Sequence, residues 1–139
     1  MPLPPIDEEY IFEDSVIISE TDLTGIITFA NRKFCEIAGY AREELVGHTH
    51  NIIRHPDMPK AAFAELWATI QAGQNWQGIV KNLRKDGRFY WVETHVTPVI
   101  KNSIVVGYIA ARKSVSRLAA LEANKKYMIL KKHETEPTL

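Results

Sequence analysis

Residues 76–111 read WQGIVKNLRKDGRFYWVETHVTPVIKNSIVVGYIAA, and this stretch sets the architecture. Three runs within it, Trp76 to Leu83, Phe89 to Ile100 and Ile104 to Ala111, are rich in β-branched and aromatic side chains, which suit a pleated surface. Between them lie Lys85-Asp86-Gly87 and Lys101-Asn102-Ser103, short polar segments that tolerate turn conformations. Three antiparallel strands in series follow from this pattern.

Upstream, Pro59 opens the longest internal helical pattern. Phe63, Leu66, Trp67 and Ile70 follow the i, i+3, i+4, i+7 spacing of one helix face, and Gly73 closes it. Asn31 caps a shorter helix whose Phe34, Ile37 and Ala38 share a face and which stops at Gly39; a second short helix covers Arg42 to Val46 before Gly47. Ser15 to Thr21 and Ile26 to Ala30 flank the turn Asp22-Leu23-Thr24-Gly25 and read as a hairpin. The order strand, strand, short helices, longer helix, three strands predicts an α+β fold: a five-stranded antiparallel sheet with helices over one face and a cleft between the layers. Downstream, Ser116 to Lys132 is helix-prone, but its stripe of Leu118, Leu121, Met128 and Ile129 is thin, so this helix is expected to leave the core. The chain thus divides into an N-terminal extension (1–11), one domain (12–115) and a C-terminal helix with tail (116–139).

Composition excludes several function classes. With 139 residues, 45% of them hydrophobic, the chain is long enough to fold round one core. Lys+Arg and Asp+Glu both number 17, and no basic run of five occurs, which argues against nucleic acid as a partner. Cys35 is the single cysteine, so this chain forms no internal disulfide and supplies no thiolate metal cluster, in keeping with the cytoplasm. There is neither a cationic, apolar leader nor an apolar run of eighteen residues, so direct membrane insertion is not expected. No activated nucleophile, carboxylate pair, phosphate loop or metal spacing stands out, and the chain does not read as an enzyme.

The densest chemistry lies in His50-Asn51-Ile52-Ile53-Arg54-His55-Pro56-Asp57-Met58-Pro59. Pro56 forbids a helix through the segment and Pro59 can open the next one, so Arg54, His55 and Asp57 sit at a tight corner that suits an anionic or polar ligand. The same three residues also suit a cap and salt-bridge corner with no ligand. Phe63 and Trp67 share a helix face and fit either a core or a cleft wall, while Trp76 follows Gly73-Gln74-Asn75 at an element boundary, where a bulky ring lids something. Strand alternation puts Trp76, Gly78, Val80 and Asn82 on one face and Lys81 on the other, toward solvent. Of Tyr90 and His95, an odd number apart, one at most faces the cleft; His48 and His50 read as loop or cap residues, and Cys35 as a small buried hydrophobe.

Thr21 to Asn31, then Phe34, Gly39-Tyr40, Glu44-Leu45-Val46-Gly47, Lys85-Asp86-Gly87 and Trp91 resemble a PAS sensor domain over roughly residues 12 to 115. His50 to Phe63, with Trp67, Trp76 and Gly78-Ile79-Val80-Lys81-Asn82, is similar to the flavin-binding subgroup of the aerotaxis-receptor type. That resemblance implies a noncovalent FAD whose redox state follows oxygen or electron transport and is passed to a chemoreceptor or other signalling protein. It implies that Arg54 holds the phosphate or ribityl region, that His55 and Asp57 orient it, and that Phe63, Trp67 and Trp76 wall the ring. Asn82 then meets the polar edge of the ring and Asn31 approaches the cofactor. A cysteinyl photoadduct is excluded, because Gly47 is followed by His48-Thr49-His50-Asn51. Two other readings stand beside this one: a haem-binding gas sensor using His50 or His55, and a cofactor-free docking module. A homodimer is compatible with either. The start at Met1 and the polar tail from Lys131 to Leu139 read as a stand-alone cytoplasmic sensor that docks onto a separate membrane-bound transducer.

Overall fold

Asn31 ties the first helix to the first strand. Its Oδ1 accepts from the N–H of Phe34 at 3.0 Å and from that of Ile18 at 3.1 Å, while its Nδ2 donates to the Val16 carbonyl at 3.0 Å. One short amide therefore starts a helix and fixes where that helix leaves the sheet.

The computed structural model describes residues 3–135. The chain forms β1 (Ile17–Thr21), β2 (Ile27–Ala30), α1 (Arg32–Ala38), α2 (Arg42–Leu45), a 3-10 turn at His50–Ile53, α3 (Lys60–Gln71), β3 (Trp76–Leu83), β4 (Phe89–Lys101), β5 (Ile104–Ser114) and α4 (Arg117–Thr135). The strands make one antiparallel sheet in the order β2-β1-β5-β4-β3. The expected α+β arrangement is therefore the one observed, with β5 running three residues beyond Ala111. Ile17, Ile27, Phe34, Leu45, Tyr90 and Val92 are fully enclosed and form the centre of the core.

Two expectations need correction. The C-terminal helix does not leave the domain. Tyr127 O–H donates to the Ile79 carbonyl, its ring stacks on Trp91 with centroids 6.5 Å apart, and Glu134 accepts from the N–H groups of Lys60 and Ala61, each at 3.0 Å. A tyrosine and a last-turn carboxylate do this anchoring, and neither contributes to an apolar stripe. Lys81, expected in solvent, is instead 9% exposed: its ammonium lies 2.9 Å from Asp57 Oδ2 and 4.4 Å from the Phe89 ring centre. The N-terminal segment runs along the β3–β4 turn, with Leu3, Ile6 and Tyr10 N–H groups donating to the carbonyls of Lys85, Gly87 and Phe89. The expectations for Met1 and Pro2 and for residues 136–139 of the tail lie outside the described residues. No described helix is long and apolar enough to cross a membrane.

Candidate functional site

A cavity of about 320 Å³ lies between the inner face of the sheet and α3. Val80 and Asn82 of β3, Thr94 and Val96 of β4, and Tyr108, Ala110 and Arg112 of β5 form its floor. Phe63, Leu66, Trp67 and Ile70 of α3 form its roof, and Gly25 with the His50–Arg54 turn closes its ends. The helix face read from the i, i+3, i+4, i+7 spacing is the face turned to this space.

Four of the candidate residues meet here. Arg54 pairs through its backbone with Asn82, and its guanidinium stands 4.0 Å above the Phe63 ring. Trp67 meets Tyr108 edge to face at 5.9 Å and lies against the β1–β2 turn. At Gly25, φ is +89° and a Cβ would stand 3.0 Å from the Trp67 ring, so glycine is required both by backbone conformation and by the close approach. Asn82 is 4% exposed and has its amide at the cavity wall beside the Tyr90 hydroxyl. Burial pushes Tyr90 up to about 12, with the charges of Arg112 and Arg84 opposing.

The other four candidates lie elsewhere. His55 is buried under Phe89, and its Nδ1 accepts from the Asp57 N–H at 3.0 Å; Asp57 pairs with Lys81, not with Arg54. Burial first, and the Lys81 charge second, hold His55 down at about 4. For Asp57 burial acts upward, but the hydrogen bond and charge of Lys81 outweigh it and keep the carboxyl below its ordinary range. Trp76 keeps the expected parity, yet its ring folds flat over Gly78, where a Cβ would come within 2.4 Å, and its Nε1 donates to Glu65 at 3.2 Å. It therefore borders the hollow between α3, β3 and α4 rather than the cavity. Asn31 is occupied by capping. His95 sits beside Glu93, and no described cluster of His, Cys, Asp or Glu has the makings of a metal site.

The sequence reading missed the most polar part of the wall. Arg112 is 5% exposed and, among the described residues, has no carboxylate partner and nothing bonded to its Nη1; Nη2 donates to Ser19 Oγ at 3.0 Å and to His50 Nε2 at 3.1 Å. Thr94 Oγ1, also on the wall, is likewise without one. Burial brings the Arg112 guanidinium down to about 10, where it stays charged at neutral pH. His50 stacks on Phe34 and is held well below its ordinary value by burial and then by Arg112. A guanidinium can only donate, so Nε2 accepts and the ring proton sits on Nδ1. The available signal was alternation along β5: Tyr108, Ala110 and Arg112 share one face, but a strand ended at Ala111 leaves the arginine out.

This cavity combines apolar walls with a few convergent polar groups, two of them unsatisfied, which is the make-up of a site for a flat, mostly apolar ligand with a polar edge. A family model described as "PAS fold" matches residues 27–112. The Escherichia coli "Aerotaxis receptor" is 45% identical over 112 residues, 79% of this chain and 22% of that protein. The Klebsiella pneumoniae "Nitrogen fixation regulatory protein" is 32% identical over 109 residues, 78% of this chain and 22% of that one. The chain thus spans about a fifth of the length of these relatives. Among solved structures, the light state of the blue-light photoreceptor Aureochrome1 LOV superposes with a TM-score of 0.71 at 23% identity, covering 79% of this chain and 90% of the other, a likeness of fold.

Proposed function

The chain belongs to the PAS family, and from that premise we propose that it is a flavin-binding redox sensor, with FAD as the cofactor and a chemoreceptor-type transducer as the partner. The observation that carries this reading is the partnerless Nη1 of the buried Arg112, beside a partnerless Thr94 hydroxyl and the Asn82 amide on the wall of an apolar cavity. A ring bearing carbonyl and imide groups along one edge supplies what those donors lack. When bound, FAD supplies a ring that takes up and gives back electrons.

The volume suits such a ring system and not a whole dinucleotide, so the charged remainder of FAD belongs at the mouth, where Arg54 stands over Phe63. His55 and Asp57 act in this reading by fixing the corner that carries Arg54. Asn82 both donates and accepts, so a change of charge in the cavity changes the bonds it prefers. β3 passes this outward, since Val80 and Asn82 face the cavity while the carbonyl of Ile79 receives Tyr127 of α4. The cytoplasmic face of a membrane-bound transducer is the place we assign to it. As a haem ligand His50 is poorly placed, because its Nε2 lone pair already accepts from Arg112, and His55 does not line the cavity.

The test is the absorption spectrum of freshly purified protein, with release of the chromophore by heat. Flavin bands bleached by dithionite and restored by air, with FAD in the supernatant, are expected. A Soret band, or colourless protein that takes up no FAD, overturns the reading. Asn82→Ala protein that binds FAD and still signals normally would defeat the proposed route through β3.

A further inference from the structure

The cavity is cationic as well as apolar. Among the described residues that line it none is an Asp or a Glu, while Arg54 at the mouth and Arg112 on the floor carry guanidinium groups, which keep their charge at any ordinary pH. His50 accepts a hydrogen bond from Arg112 as a neutral ring and so leaves that charge unbalanced. A buried charge without a counter-charge is unfavourable, and a ligand that brings the counter-charge removes the penalty when it binds.

Strand register supplies a seat with two donors. Thr94 of β4 pairs directly with Arg112 of β5, so the two side chains are neighbours on the inner face of the sheet. Nη2 of Arg112 is engaged by Ser19 and His50, whereas Nη1 and Thr94 Oγ1 have no partner among the described residues. Two adjacent unused donors, one of them charged, match the two oxygens of one carboxylate. A neutral ring edge offers them hydrogen bonds but no charge, and a carboxamide sets its own N–H groups against one of them. Phe63, Trp67 and Tyr108 wall the remaining space, and about 320 Å³ has room for a body of two fused rings.

We infer that the cavity, when it holds no flavin, takes a flat aromatic monocarboxylate, with the carboxylate on Arg112 and Thr94 and the ring among Phe63, Trp67 and Tyr108. Such an acid competes with flavin for the same space. The seat itself does not depend on the flavin reading, since it needs only the cavity, its cations and the lack of an acidic side chain on the wall.

The probe is naphthoate, titrated calorimetrically into the full chain stripped of any chromophore, with naphthamide as the neutral control of the same shape. Saturable binding of naphthoate, at least tenfold tighter than that of the amide, is expected. Arg112→Met should weaken binding of the acid at least tenfold and leave that of the amide nearly as it was. Thr94→Val should cost the acid a smaller factor, and Ala110→Leu, which builds a side chain into the floor, should weaken both ligands, each with the circular dichroism spectrum kept. The proposal is overturned by no saturable binding of naphthoate, by equal binding of acid and amide, or by acid binding that both Arg112→Met and Ala110→Leu leave intact. Colourless protein that takes up no FAD strikes the flavin reading alone and leaves this titration unchanged, so the two failures are told apart.

Discussion

Arg112 is where function and stability pull apart. A guanidinium enclosed by Ser19, His50 and Phe34, with no carboxylate among the described residues to neutralise it, is an expense for the empty domain. Arg112→Met should therefore raise the urea-unfolding free energy of flavin-free protein by about 1–3 kcal/mol. In a fluorescence titration the same variant should lose FAD binding by tenfold or more; if it binds like the wild type, the cation is not a ligand group. Residue by residue, the places of Phe63, Trp67 and Asn82 were traceable in the sequence because α3 and β3 have a clear phase, and that of Arg54 because Pro56 and Pro59 mark a corner. Arg112 was not, since an arginine at a strand end ordinarily faces water. Lys81 failed for the same reason, for it takes a carboxylate from a remote corner, Asp57, to draw its ammonium in.

Elements hold together here through a few polar clasps. Asn31→Ala removes the cap bond to Phe34 of α1 and the two bonds to Ile18 and Val16, so its cost should exceed the ~1 kcal/mol of an ordinary cap and reach roughly 2 kcal/mol in denaturant unfolding. Asn31→Asp keeps both acceptor bonds and should cost less. Glu134→Ala should free the first turn of α3 and loosen the end of α4, read as faster amide exchange in both segments while the β4 and β5 amides stay protected. Strand and helix identities came through in the sequence because alternation and the 3.6-residue period are local. The docking of α4 did not, since it rests on contacts between residues far apart in the chain, such as Tyr127 with Ile79 and Glu134 with Lys60. The stripe that suggested a helix leaving the core turned out to mark the face that the domain leaves uncovered.

The whole domain should answer to acid through its histidines. His55 is held at about 4 against an ordinary 6.5, so the unfolded chain binds a proton that the folded one refuses. Its contribution is complete above pH 6.5 and is lost as the pH falls toward 4, with a slope of up to about 1.4 kcal/mol per pH unit, and His50 acts in the same direction. His55→Asn keeps an acceptor for the Asp57 N–H and should flatten urea-unfolding free energy between pH 6.5 and 4; an unchanged slope would assign it elsewhere. Asp86 adds only below that window: burial acts upward, the Arg88 and Arg84 bonds outweigh it, and its carboxyl lies at about 2. Finally, the sheet ends in strands several of whose outward groups are engaged. On β2, Ile27 N–H donates to the His48 carbonyl and its carbonyl accepts from Gly47. On β3, Ile79 is met by Tyr127, Lys81 N–H by the Met58 sulfur, and Asn82 by Arg54. A chain cut before α4 would bare the Ile79 stretch of β3 to foreign strands, and the loss of one helix would turn a covered margin into a place where aggregation can start.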